Sequence, residues 1–273
     1  MHKVSRLSVE EALFNNHLVR QLAWVIRSTP LMVDLASHPS THIVSKEICD
    51  FYLKKHLKWL KELDKNPAAV FDFMARQNYT RLGKYFEMLI EFWLRSSPHF
   101  ELLLQNEQVY DNKTTIGEFD FVFYNKLFEK TEHWEVAVKF YLSNGISDEW
   151  NNYIGPNAND NLALKMMRSI DKQLLLSSHP AAQKLLREKE IHIDSTSLFM
   201  KGYLVYPWGS TAKSIAKFAH AQHEQFDWLR INELGKPFFK NQFWVILPKL
   251  YWLGQNNLPF GELIVYDEKI CFW

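Results

Sequence analysis

Residues 117–142, GEFDFVFYNKLFEKTEHWEVAVKFYL, constrain this chain more than any other stretch. They read as two β-strands joined by a polar connection. Asp120 sits on the first, and Glu135 and Lys139 on the second. Successive strand side chains point to opposite faces. Glu118 and Asp120 therefore share one face, with Phe119 and Phe121 on the other. Glu135, Ala137 and Lys139 likewise share a face, opposite Val136, Val138 and Phe140. Carboxylates and an ammonium among strands this apolar are costly to bury unless they are paired or bind a metal. The segment thus predicts both an internal hairpin and a polar site on it.

The flanking sequence supplies the rest of the pattern. Ser8 followed by Glu11 has capping-box spacing, and Leu18, Leu22, Val25 and Ile26 continue a helical stripe that ends near Thr29-Pro30. A second helix is expected from Ser45 to about Leu63. Leu53, Leu57 and Leu60 lie on one face of it, and Lys54, Lys58, Lys61 and Lys65 on another. Residues 81–95 form a third helix with an apolar stripe of Phe86, Leu89, Ile90 and Trp93, followed by Pro98. Residues 99–110 read as a strand ahead of the hairpin. After a Gly-Pro-Asn turn, Asp160 can cap a helix running to about Ser177. Residues 197–206 are a strand, 211–230 a helix, and 241–247 and 262–267 short strands. The middle of the chain therefore reads α-β-β-β-α-β. The expected layout is an N-terminal helical region (1–80), an α/β core (81–207) and a C-terminal α/β extension (208–273).

With 273 residues, 47% of them hydrophobic, a full core is available. The net charge of +1 excludes a globally basic nucleic-acid binder but not a local basic groove. Two cysteines, Cys49 and Cys271, far apart in sequence, offer no disulfide framework or zinc pattern. The absence of an apolar signal core or bilayer-length apolar run points to a cytoplasmic chain without a membrane partner.

The helix RLGKYFEML, the strands GEFDFVF and WEVAVKFYL, and the helix DNLALKMMRSIDKQLLL together resemble the PD-(D/E)XK, or restriction-endonuclease-like, nuclease superfamily. Within it they resemble a bacterial family of unknown function. The resemblance extends over most of the chain and is densest from Arg81 to Leu176. It implies an α/β fold with a restriction-endonuclease-like core and metal-dependent cleavage of nucleic acid, DNA in the first instance. It further implies a Mg²⁺ or Mn²⁺ ion held by Glu87, Asp120 and Glu135, with Lys139 orienting water or stabilising charge. Lys165, Lys172 and Gln173 match its next segment and would face substrate phosphates. The chemistry is consistent: a divalent ion can activate water and neutralise a phosphorane, and Mg²⁺ prefers carboxylate oxygens.

One departure stands out. The superfamily places its acid two residues before the lysine, and here that position is Ala137. Four strand residues span about 13 Å, too far for Glu135 and Lys139 to serve one compact site by simple substitution. A nuclease-fold protein that binds nucleic acid or a protein without cutting is therefore the alternative. Glu91, His220 with His223, and the lysine stripe of the second helix read more simply as solvated surface. Trp208, Trp244 and Trp252 read more simply as core.

Overall fold

A computed structural model describes residues 14–33, 42–76, 79, 81–144, 148–155, 174–209, 216–217, 219–230, 232, 244–254, 261–266 and 269–272. The elements are α1 (His17–Arg27), β1 (His42–Ile43), α2 (Lys46–Lys65), α3 (Ala68–Met74), α4 (Leu82–Ser96), β2 (Phe100–Asp111), β3 (Thr114–Asn125), β4 (Lys130–Ser143) and β5 (Tyr153–Ile154). They continue with α5 (Pro180–Glu188), β6 (Ser195–Pro207), β7 (Glu224–Arg230), β8 (Trp244–Ile246), β9 (Gly261–Tyr266) and β10 (Lys269–Phe272).

The strands form one mixed sheet in the order β2-β3-β4-β6-β7-β10-β9-β8, with β1 beside β6 and β5 beside β4. The β2–β3 and β3–β4 pairs are antiparallel hairpins, whereas β4–β6 and β6–β7 are parallel. β6 lies at the centre and is buried continuously from Leu198 to Tyr206, as expected of a parallel strand covered on both faces. On one face, α1, α2, α3 and α4 pack over Phe121, Trp134, Phe199 and Tyr203. The other face is divided between a cluster around Tyr141, Leu198 and Met200 and a second in which α5 covers Val109, Phe119 and Val122.

The helix ends follow local chemistry. Asn16 caps α1, accepting from the Leu18 amide at 2.9 Å. Ser45 caps α2 through the Ile48 amide at 3.4 Å. The capped, extended Asn16 corrects the expectation of a helix running on from Ser8: α1 starts anew at His17, and Ser8 and Glu11 lie outside the described residues. The C-terminal half differs more. In place of a helix over 211–230, Glu224–Arg230 is a strand parallel to β6. A short apolar-polar run such as EQFDWLR fits either period, and the vacant edge of β6 selects the extended form. His220 and His223 consequently lie in the turn before β7, where His223 Nε2 meets the Tyr206 hydroxyl at 2.9 Å. Trp252 is buried in the core, and α5 and β10 are elements that the sequence reading does not separate. Among the described residues, no helix is long and apolar enough to cross a membrane.

A buried lysine on β6 links the end of α1 to α2. Lys201 has no exposed surface; its ammonium contacts the Ser28 carbonyl and lies 3.0 Å from Cys49 Sγ. Burial lowers its pKa, an effect opposed by the neighbouring Cys49 and Glu224. Glu224 accepts from Trp24 Nε1 at 3.0 Å.

Candidate functional site

The site forms where two paired strands part. The β3–β4 ladder runs from Asn125↔Lys130 to Phe121↔Trp134 and stops. Beyond it, β3 continues against β2 while β4 continues against β6, Glu135 opposite Leu198. Asp120 and Glu135 are the first residues past the split. There a side chain replaces the ladder: Asp120 Oδ2 accepts the Val136 amide at 2.9 Å. The Asp120 and Glu135 carboxyl groups lie close enough here for each to act on the titration of the other.

β2 is also irregular here. Asn106, between the Gln105↔Phe121 and Glu107↔Phe119 pairs, has φ of +48°. This is left-handed backbone, which Asn tolerates better than most residues. The distortion corrects the simple alternation expected for β3. Phe121 enters the cluster under α4, but Phe119 enters the cluster under α5.

Electrostatics mark Asp120 and Glu135 as a pair. Burial, followed by the charge of Glu135, pushes the Asp120 carboxyl up to about 8. Burial likewise pushes Glu135 up to about 8, with Glu118 and Glu87 adding repulsion. His133, fully buried on β4, places Nε2 3.0 Å from Glu135 Oε1. Burial holds its pKa down near 4, against the attraction of Asp120. The ring is therefore neutral at neutral pH, and it meets Glu135 through Nε2. Nδ1 is left without a hydrogen-bond partner, and the ring meets Phe119 edge-on at 4.8 Å.

The rim holds opposite charges. Glu87 on α4, acting on both acids, pairs with Lys84 at 2.7 Å. With its amide oriented to match its neighbours, Asn106 donates to Glu118 at 3.3 Å and accepts from Lys84 at 3.2 Å. Glu91 points elsewhere, to Arg95 at 2.8 Å.

The structure therefore brings Asp120 and Glu135 together and sets Glu87 near enough to act on both. Lys139 shares the face of β4 that carries Glu135, since Ala137 and Tyr141 pack on one side and Val136, Val138 and Phe140 on the other. It lies about 13 Å along the strand, opposite Gly202. Lys165, Lys172, Gln173 and Asp160 lie outside the described residues. Among the described residues, no three His, Cys, Asp or Glu side chains are grouped to hold a metal ion. The two-carboxylate donor set nonetheless suits Mg²⁺ or Mn²⁺. Mg²⁺ is commonly bound by one or two carboxylates, the remaining positions going to water and substrate phosphate. The sequence reading passed over His133, Asn106 and Lys84. His133 was accessible to it, because it precedes Glu135 by two residues and so shares its strand face.

A model of the family described as Domain of unknown function (DUF1853) matches residues 20–267. Comparison with curated proteins and with solved structures returned no match. With nearly its whole length matched, the chain belongs to the DUF1853 family.

Proposed function

We propose that this chain is a metal-dependent nuclease of restriction-endonuclease-like fold that hydrolyses phosphodiester bonds, DNA being the leading substrate. The observation that carries the reading is the pairing of half-buried Asp120 with buried Glu135 at the split between β3 and β4. Two neighbouring carboxyls, each with a raised pKa, form a site that a divalent cation would complete. The order of α4, β2, β3, β4 and β6, with β4 and β6 parallel, supports the strand part of the expected α-β-β-β-α-β core, whose second helix, from Asp160 to about Ser177, lies almost wholly outside the described residues.

Asp120 and Glu135 would hold Mg²⁺ or Mn²⁺, and the charge of Glu87 on α4, which acts on both, would add to its attraction. When bound, the ion supplies an activated water and neutralises charge on the phosphorane. His133 keeps Glu135 oriented through Nε2. The backbone amide of Val136 keeps one Asp120 oxygen turned inward and leaves the other for the ion. Lys139 would orient water or stabilise charge, and Lys165, Lys172 and Gln173 would contact substrate phosphates.

The decisive experiment offers duplex and single-stranded DNA and RNA to the purified protein with Mg²⁺ or Mn²⁺. Cleavage by the wild type and loss of at least a hundredfold in Asp120→Asn is expected. Equal activity of the two, or none on any substrate, refutes the enzymatic reading. A non-cleaving, nuclease-fold binding protein is the second reading, favoured by Ala137 and by the distance of Lys139 from the pair. It predicts no cleavage and no Mg²⁺-dependent rise in melting temperature.

A further inference from the structure

α2 carries a feature that the carboxylate site does not use. Lys54, Lys58, Lys61 and Lys65 line a groove of about 670 Å³ together with Asn15. Its two acids are already engaged. Asp64 accepts the Asn15 and Asn16 amides at 3.0 and 2.7 Å, and Glu62 pairs with Lys65 at 2.9 Å. The groove therefore keeps an excess of ammonium groups on long exposed stems. From Lys54 to Lys65 the helix rises about 16 Å, the length of about five stacked nucleotides at 3.4 Å each.

A second observation adjoins the first. His17, two residues from Asn15, stacks on Tyr251 at 5.7 Å and meets Phe71 edge-on at 5.7 Å. Phe71, six residues beyond Lys65, is 41% exposed, and Tyr251 is 39% exposed. Large aromatic surfaces left in solvent beside a basic groove have the composition of a single-strand binding surface. Ammonium groups follow the phosphates, and ring faces take unpaired bases.

We propose that the α2 groove and the Phe71–His17–Tyr251 patch together bind single-stranded nucleic acid. Exposed ring faces select against duplex, whose bases are already stacked, and the lysines supply affinity without sequence preference. The proposal extends the nucleic-acid reading above by naming the strand state bound, but it concerns a surface distinct from Asp120 and Glu135.

The test measures anisotropy of a labelled twenty-nucleotide oligo-dT and of a mixed-sequence duplex of the same length. The full chain is used in EDTA, so that cleavage plays no part, across a KCl series. Lys54→Gln/Lys58→Gln/Lys61→Gln keeps the stems and removes three charges. It is expected to lower the slope of log affinity against log salt by about 2, at roughly 0.7 per phosphate contact on a single strand. Phe71→Ser/Tyr251→Ser is expected to weaken oligo-dT binding by about thirtyfold or more while leaving that slope unchanged. Urea melts of both variants establish that they fold, and Tyr251→Phe, which keeps the ring, should bind as the wild type does. No oligo-dT binding, a duplex preference, or an unchanged slope in the triple variant each overturns the proposal. Cleavage assays in Mg²⁺ separate the two readings. Binding without cleavage leaves the surface standing and refutes the nuclease, whereas cleavage by variants that bind normally does the reverse.

Discussion

Asp120→Asn should make the metal-free protein more stable at alkaline pH, although it removes a proposed catalytic group. The Asp120 carboxyl rises on folding from 3.8 to about 8. A group whose folded pKa is raised contributes stability at low pH that is lost as pH rises through the folded value. At 1.36 kcal/mol per unit, burying this carboxyl costs about 2 kcal/mol at pH 5 and about 6 kcal/mol above pH 8. The Asn side chain carries no such cost. Its oxygen can still accept the Val136 amide, which lies 2.9 Å from Oδ2 in the wild type, and its NH₂ can donate toward Glu135. The stability advantage of Asp120→Asn should therefore grow by on the order of 4 kcal/mol between pH 5 and pH 9. Asp120→Ala, which leaves the Val136 amide without an acceptor, should be about 1–3 kcal/mol less stable than Asp120→Asn at every pH. Urea unfolding followed by the fluorescence of the 10 tryptophans, in EDTA from pH 5 to 9, measures these differences. Adding Mg²⁺ should stabilise the wild type and leave Asp120→Asn unchanged. An Asn–Asp difference that does not vary with pH would show that the two carboxyls are not a repelling pair, and the metal-site argument would fall with it.

Three further outcomes are expected. Gly202→Ala should abolish soluble expression, because a Cβ there would lie 1.8 Å from the Lys139 carbonyl oxygen at a backbone φ of +141°; a soluble variant melting near the wild type would contradict the close β4–β6 approach. Acidification from pH 6.5 to 4 should draw on two buried neutral histidines, His56 and His133, each held down near 4 by burial. Depressed histidines lose stability as pH falls through this window, by up to about 3 kcal/mol each; His133→Gln should flatten that fall, and an unchanged acid limb would refute the assignment. Lys201→Ala should cost about 1–3 kcal/mol in urea unfolding, because it leaves the Ser28 carbonyl without the buried ammonium it contacts, and an unchanged midpoint would show that this contact does not stabilise the fold.

Much of the fold was legible in sequence because the governing forces are local. Ser45 and the Leu53, Leu57, Leu60 stripe define α2 almost to its ends. Alternation defines β4, and apolar runs bounded by turns define β2 and β6. The C-terminal part was less legible. EQFDWLR satisfies two periodicities, and only its position beside β6 makes it a strand. The candidate site was legible as residue types but not as an arrangement. Asp120, Glu135 and Lys139 were identified from strand position, and the spacing already set Lys139 about 13 Å from Glu135, but the meeting of Asp120 with Glu135 across two strands was not legible.

The sequence by itself determined the alternation of helical and extended segments, the caps, the apolar faces and the identity of two acids out of place among aromatic residues. Those properties depend on neighbours one to four residues apart. Only the tertiary structure decided that β3 and β4 part at Asp120, that Asn106 bends β2 opposite it, and that the carboxyls of Asp120 and Glu135 meet there with His133 behind them. Register and burial set those contacts. Both depend on how three strands and α4 pack at once, which no local pattern encodes.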